Sequence, residues 1–150
     1  MSEVIMARAL ATEKVVTARI RGGHSWESIA AHLGTPLVWT TAALLGQHPL
    51  SPEQAEKVTT FLGLDAEVAE SLAQQPYRVR DESVQTDPTI YRFVEAIGVY
   101  GPALKELIHE EFGDGIMSAI NFQVDFARVP HPDGDRVRVT LDGKFLDYRW

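Results

Sequence analysis

The chain contains no cysteine. That excludes disulfides, thiolate metal ligands and a cysteine nucleophile, and it fits a reducing compartment. No apolar run approaches the roughly 20 residues that span a bilayer. The opening residues MSEVIMARALATEKVV lack the basic start, continuous apolar centre and small-residue cleavage site of a secretory leader. A cytoplasmic protein with no membrane partner is expected. Basic residues are few: 14 Lys and Arg stand against 21 Asp and Glu, for a net charge of -7. Affinity for nucleic acid rests on cations that neutralise phosphates, so a general polyanion binder is disfavoured. A small anionic substrate would need a local cationic site rather than a global field. The five histidines show no ligand spacing, and His109-Glu110-Glu111 has no second histidine four residues on. Neither a metal nor another cofactor is expected.

With 150 residues, 45% of them hydrophobic, there is material for one ordinary domain or two small ones. Residues 1–75 read as short helices set apart by cap signals. A helix over roughly Ala7 to Ile20 ends at Gly22-Gly23, and Ser25 caps one that runs to Gly34. Thr35-Pro36 starts another that stops at Gly46. Ser51-Pro52-Glu53-Gln54 is a capping box for a helix closed by Gly63, and Asp65 caps a last one before Pro76. The expectation is an all-helical bundle of about five helices.

Ser25 to Leu33 and Pro36 to Leu45 have the spacing of a helix-turn-helix. A DNA-reading second helix needs Arg, Lys, Asn or Gln near its start to meet base edges. Here it begins Leu37-Val38-Trp39, and Glu27 is the one formally charged residue between His24 and Gly46. A structural bundle is the better reading than a DNA-binding regulator. Gln75 to Gln85 has no clear period, and 76–85 is taken as a linker, with Arg78 and Arg80 either solvated or available to an anion.

Residues 86–150 change character. Asp87-Pro88 starts a helix in which Ile90, Phe93, Val94 and Ile97 form one apolar stripe. Arg92 and Glu95 point nearly opposite that stripe and lie side by side. They read either as a solvent-exposed ion pair or as part of a covered anion site, and Val99 on their face favours covering. Gly101-Pro102 is expected to start a second helix with Leu104, Leu107, Ile108 and Phe112 as its stripe, ended by the turn Gly113-Asp114-Gly115. Ser118 follows without a Ser-His-Asp constellation or a G-x-S-x-G elbow, so it reads as a hydrogen-bonding group rather than a nucleophile. From Phe122 the period becomes two, marking a strand, and Val137, Val139 and Leu141 mark another that ends at Asp142-Gly143. Two strands make no stable sheet alone, so a symmetric, intertwined dimer is expected.

Over Thr86 to Phe122 the chain closely resembles the cyanase family, the cyanate lyases or hydratases. The matching pieces are TDPTIYRF with Glu95, VYGPALKELIHEEFGDGI and SAINF, supported by TAALLGQ at Thr41 to Gln47 and TLDGKFL at Thr140 to Leu146. The departures are modest: proline is common in the family where Gln85 stands, an aromatic occurs at Val94, and Asp147 to Trp150 is an unfamiliar ending. The resemblance implies an α+β chain, with a λ-repressor-like, helix-turn-helix-like bundle of no DNA role followed by a small α+β domain, 86–150, that carries catalysis and dimerisation. It implies five dimers assembled as a decamer, with sites between subunits and Arg92, Glu95 and Ser118 as catalytic residues. It also implies the reaction: cyanate and bicarbonate, the latter a co-substrate, yield carbamate and carbon dioxide, and carbamate yields ammonia. Such an activity serves cyanate detoxification and nitrogen supply.

Overall fold

The computed structural model of the chain describes residues 4–78 and 81–149. Arg80 of the linker, the first three positions of the opening segment and Trp150 lie outside the described residues. The chain divides into two compact units, Met1–Arg78 with Val124–Val139, and Val79–Gln123 with Thr140–Trp150.

Five helices build the first unit: α1 (Arg8–Gly22), α2 (Trp26–Leu33), α3 (Leu37–Leu44), α4 (Pro52–Leu62) and α5 (Ala66–Leu72). Their ends follow the cap signals. Ser25 Oγ accepts the Ser28 N–H, and both halves of the Ser51–Gln54 capping box are formed. Gly34 ends α2 at φ 70°, a left-handed conformation that side chains resist. Asp65 holds the N-cap position of α5, but its side chain makes no capping bond. There the chain closes with a tighter backbone turn, Val68 N–H to the Asp65 carbonyl at 3.1 Å.

The core of this unit is a cluster of fully buried Val15, Ile29, Leu44, Val58, Val68 and Leu72, with Trp26, Trp39 and Phe61 packed against it. Arg8 adds a polar clamp. Its guanidinium donates to the carbonyls of Ala43 and His48 and to those of Ser71 and Gln74, tying the ends of α3 and α5 together. Ala43 and Ser71 lie in the last turns of α3 and α5, where the partial negative charge on the carbonyls suits a cation. Histidines are absorbed by aromatic packing: His24 and His32 lie against Phe61, and His48 stacks on Trp39.

The second unit holds α6 (Ser83–Thr86), α7 (Pro88–Phe112) and the outer parts of the hairpin β1 (Gly115–Val129) and β2 (Arg136–Asp147). A helical turn, α6, held by Asp81 accepting the Ser83 N–H, stands at the end of the linker. Two expectations are corrected here. The helix break at Gly101-Pro102 does not occur, because α7 runs through Pro102 for 25 residues. Ile97 and Leu104 lie seven residues apart, so the two apolar stripes are in phase and make one. Pro102 withholds only the N–H owed to the Gly98 carbonyl. Secondly, β1 begins at Gly115 rather than Phe122, and β2 passes Gly143 to end at Asp147.

The apolar stripe does not build a core within one chain. No residue of α7 is buried, and Ile90, Phe93, Val94 and Ile97 are all exposed. Among the described residues after Leu72, only Gly115 and Ser118 are buried. Phe112 stacking on Phe145 at 5.0 Å joins the end of α7 to β2.

Candidate active site

Asp87 fixes the start of α7 by accepting the N–H groups of Thr89 and Ile90 on one carboxylate oxygen, with Pro88 in the first turn. The helix then carries Arg92 and Glu95 one turn apart. Arg92 Nη1 donates to Glu95 Oε2 at 3.1 Å, and the two side chains remain 66% and 50% exposed. In water such a pair stabilises a helix by only a few tenths of a kcal/mol. Val99, on the same face, is 70% exposed. Within one chain the pair is therefore uncovered, and its guanidinium keeps free N–H donors for an anion.

Ser118 has the opposite character. It sits in β1 with 6% of its surface exposed, and its Oγ accepts the N–H groups of Ile120 and Asn121 at 3.1 and 3.0 Å. Both lone pairs of the hydroxyl are thereby occupied, which leaves its proton to donate. A hydroxyl so held is a poor nucleophile and a well-placed hydrogen-bond donor. Among the described residues no hydrogen bond links Ser118 to Arg92 or Glu95, which are joined to each other.

Two features of this unit escape a reading of the sequence. The backbone amides of Ile120 and Asn121 fix the serine, and no residue type signals them. Gly143, facing Ser118 from β2, is visible only as a glycine inside an alternating run, which marks a close backbone approach without naming its partner. At the end of α7, Lys105 Nζ lies 2.6 Å from His109 Nε2, and His109 Nδ1 lies 3.0 Å from the Gly113 carbonyl. His109 thus closes the helix end. Among the described residues no group of three or more His, Cys, Asp or Glu is placed to hold a metal ion.

Comparison with known proteins matches both parts of the chain. Residues 8–76 match the family model described as cyanate hydratase, N-terminal, and residues 82–150 match the cyanate lyase C-terminal domain. The cyanate hydratase of Mycolicibacterium vanbaalenii is 58% identical over 146 residues, covering 97% of this chain and 95% of that protein. That of Methylibium petroleiphilum is 50% identical, covering 96% and 99%. The crystal structure of cyanase from T. urticae superposes with a TM-score of 0.83 at 38% identity, over 91% of this chain and 96% of that one. A helical N-terminal region followed by a small sheet-containing part, matched along nearly its whole length, makes the chain an enzyme of the cyanate lyase family.

Proposed function

We propose that this enzyme decomposes cyanate with bicarbonate as co-substrate, by way of carbamate, to ammonia and carbon dioxide. One structural observation carries the proposal beyond family membership: Arg92 and Glu95 stand exposed on a helix that buries none of its residues and is flanked by uncovered apolar side chains. A second copy of the chain that covers those side chains would desolvate the pair and strengthen whatever the guanidinium holds. The enzyme is accordingly read as a homo-oligomer, an intertwined dimer repeated five times in a decamer, with active sites shared between subunits.

The chemistry requires two anions to meet. At about 4 Å and an effective dielectric of about 20, their repulsion is of order 4 kcal/mol. Arg92 offers parallel N–H donors to a carboxylate-like group, and copies from neighbouring subunits stabilise the dianionic intermediate. Ser118 donates its hydroxyl proton to one anion and holds developing charge. Orientation of both reactants converts a bimolecular encounter into an intramolecular one. Cyanate, bicarbonate and one proton give carbamate and carbon dioxide; carbamate and a second proton give ammonia and another carbon dioxide. Glu95 accepts from Arg92 and orients its guanidinium. The proton then comes from water.

In this reading the enzyme works in the cytoplasm, removing cyanate and supplying nitrogen, with neither a cofactor nor a membrane or nucleic-acid partner. Supporting the last point, the outer side of α3 adjoins an apolar groove lined by Leu37, Val38 and Leu45, where a DNA reader carries polar side chains. The deciding experiment follows ammonia release from cyanate with and without bicarbonate. Release that depends on bicarbonate is expected; release unchanged by its removal, or no release, overturns the proposal.

A further inference from the structure

β2 approaches β1 closely at Gly143. A Cβ built there would overlap the Ser118 carbonyl oxygen, and it would stand 2.5 Å from Met117 Cγ and 3.1 Å from the Phe122 ring. Beside this contact the β1 backbone turns in on Ser118, as at a β-bulge. Two facts mark it. The side chain of Ile120 stands out of the sheet at 96% exposure, and the N–H groups of Ile120 and Asn121 turn to Ser118 Oγ.

We infer that Gly143 is a positioning residue for the reaction: by admitting the Ser118 peptide against its bare Cα it sets the bulge that turns the serine hydroxyl proton outward. The inference rests on the reading of Ser118 as an anion-binding donor. Any side chain at 143 pushes the Ser118 carbonyl away from β2. The Oγ moves with it, the amide bonds from Ile120 and Asn121 weaken, and a lone pair is freed. The hydroxyl can then rotate, so the anion loses a fixed donor without loss of the serine itself.

A double-mutant cycle on the full-length enzyme tests this, with kcat/KM for cyanate measured at fixed bicarbonate alongside assembly size and thermal midpoint. Ser118→Ala is expected to lower kcat/KM about a hundredfold and Gly143→Ala about tenfold, while the double variant falls within about threefold of Ser118→Ala alone. A glycine needed merely for sheet stability would give losses that multiply. Multiplying losses, with Ser118→Ala costly, overturn the role of Gly143 and leave that of Ser118 standing. A neutral Ser118→Ala overturns the serine reading and this inference with it. Should Gly143→Ala fail to assemble, the cycle is run in Met117→Ala/Gly143→Ala, which removes the Met117 part of the overlap. If that variant also fails to assemble, Gly143 is a folding requirement and the inference falls.

Discussion

Arg92 and Ser118 illustrate how differently one chain treats two groups proposed for one reaction. Ser118 is buried and held by two backbone amides, so its geometry is set before any ligand arrives. Arg92 is exposed, and among the described residues its guanidinium is paired with Glu95. Its contribution depends on being covered and on offering a planar fork rather than a point charge. Arg92→Ala is therefore expected to lower kcat/KM for cyanate by about a thousandfold, and Arg92→Lys by nearly as much, with assembly size unchanged in both. Steady-state kinetics beside size-exclusion chromatography decides the matter. Full activity in Arg92→Lys would show that charge alone suffices.

At the scale of elements, the loop between α3 and α4 is tied to other parts of the first unit. Arg8 donates to the His48 carbonyl, Arg78 Nε donates to the Gln47 carbonyl at 2.9 Å, and the His48 ring stacks on Trp39. Desolvation first, then the charges of Arg78 and Arg8, push the His48 pKa below its ordinary value of 6.5, with the Gln47 backbone opposing them. A histidine with a lowered folded pKa binds fewer protons folded than unfolded in the interval between the two values. Its contribution is intact above pH 6.5 and declines as pH falls toward the lowered value. The thermal midpoint is expected to drop between about pH 8 and about pH 5, and to drop less in His48→Phe, which keeps the stack on Trp39. Equal drops in the two proteins would remove His48 as the cause. Of the elements themselves, the helices of the first unit were legible because caps are local chemistry. The Gly101-Pro102 signal does not divide α7, because the apolar stripe keeps its phase across the proline and the helix continues.

At the scale of the molecule, the two units solve unequal problems. The helices of the first bury a core of their own; the second exposes Ile97, Val99, Leu107, Ile120 and Leu141. A two-stranded sheet beside one long helix is marginal on its own. Leu141→Asp, on the alternating apolar face of β2, is expected to give a smaller species by light scattering and to abolish cyanate turnover, while most of the helical circular dichroism persists. Retained size with lost activity would place Leu141 outside the subunit contact. A dimer is an expectation that strand count alone raises, since backbone pairing is indifferent to side-chain detail.

By itself the sequence determined the five helices of the first unit, the start of α7 at Asp87, the pairing of Arg92 with Glu95 and the family, because each rests on neighbours within a few residues or on a motif. Only the tertiary structure decided that α7 is unbroken, that Ser118 lies in a strand with both lone pairs occupied, and that Gly143 sits against it from 25 positions away. Contacts between distant segments depend on register and on the path of a bulge. Neither leaves a periodic trace in residue type, so the bulged serine became visible only once β2 was laid beside it.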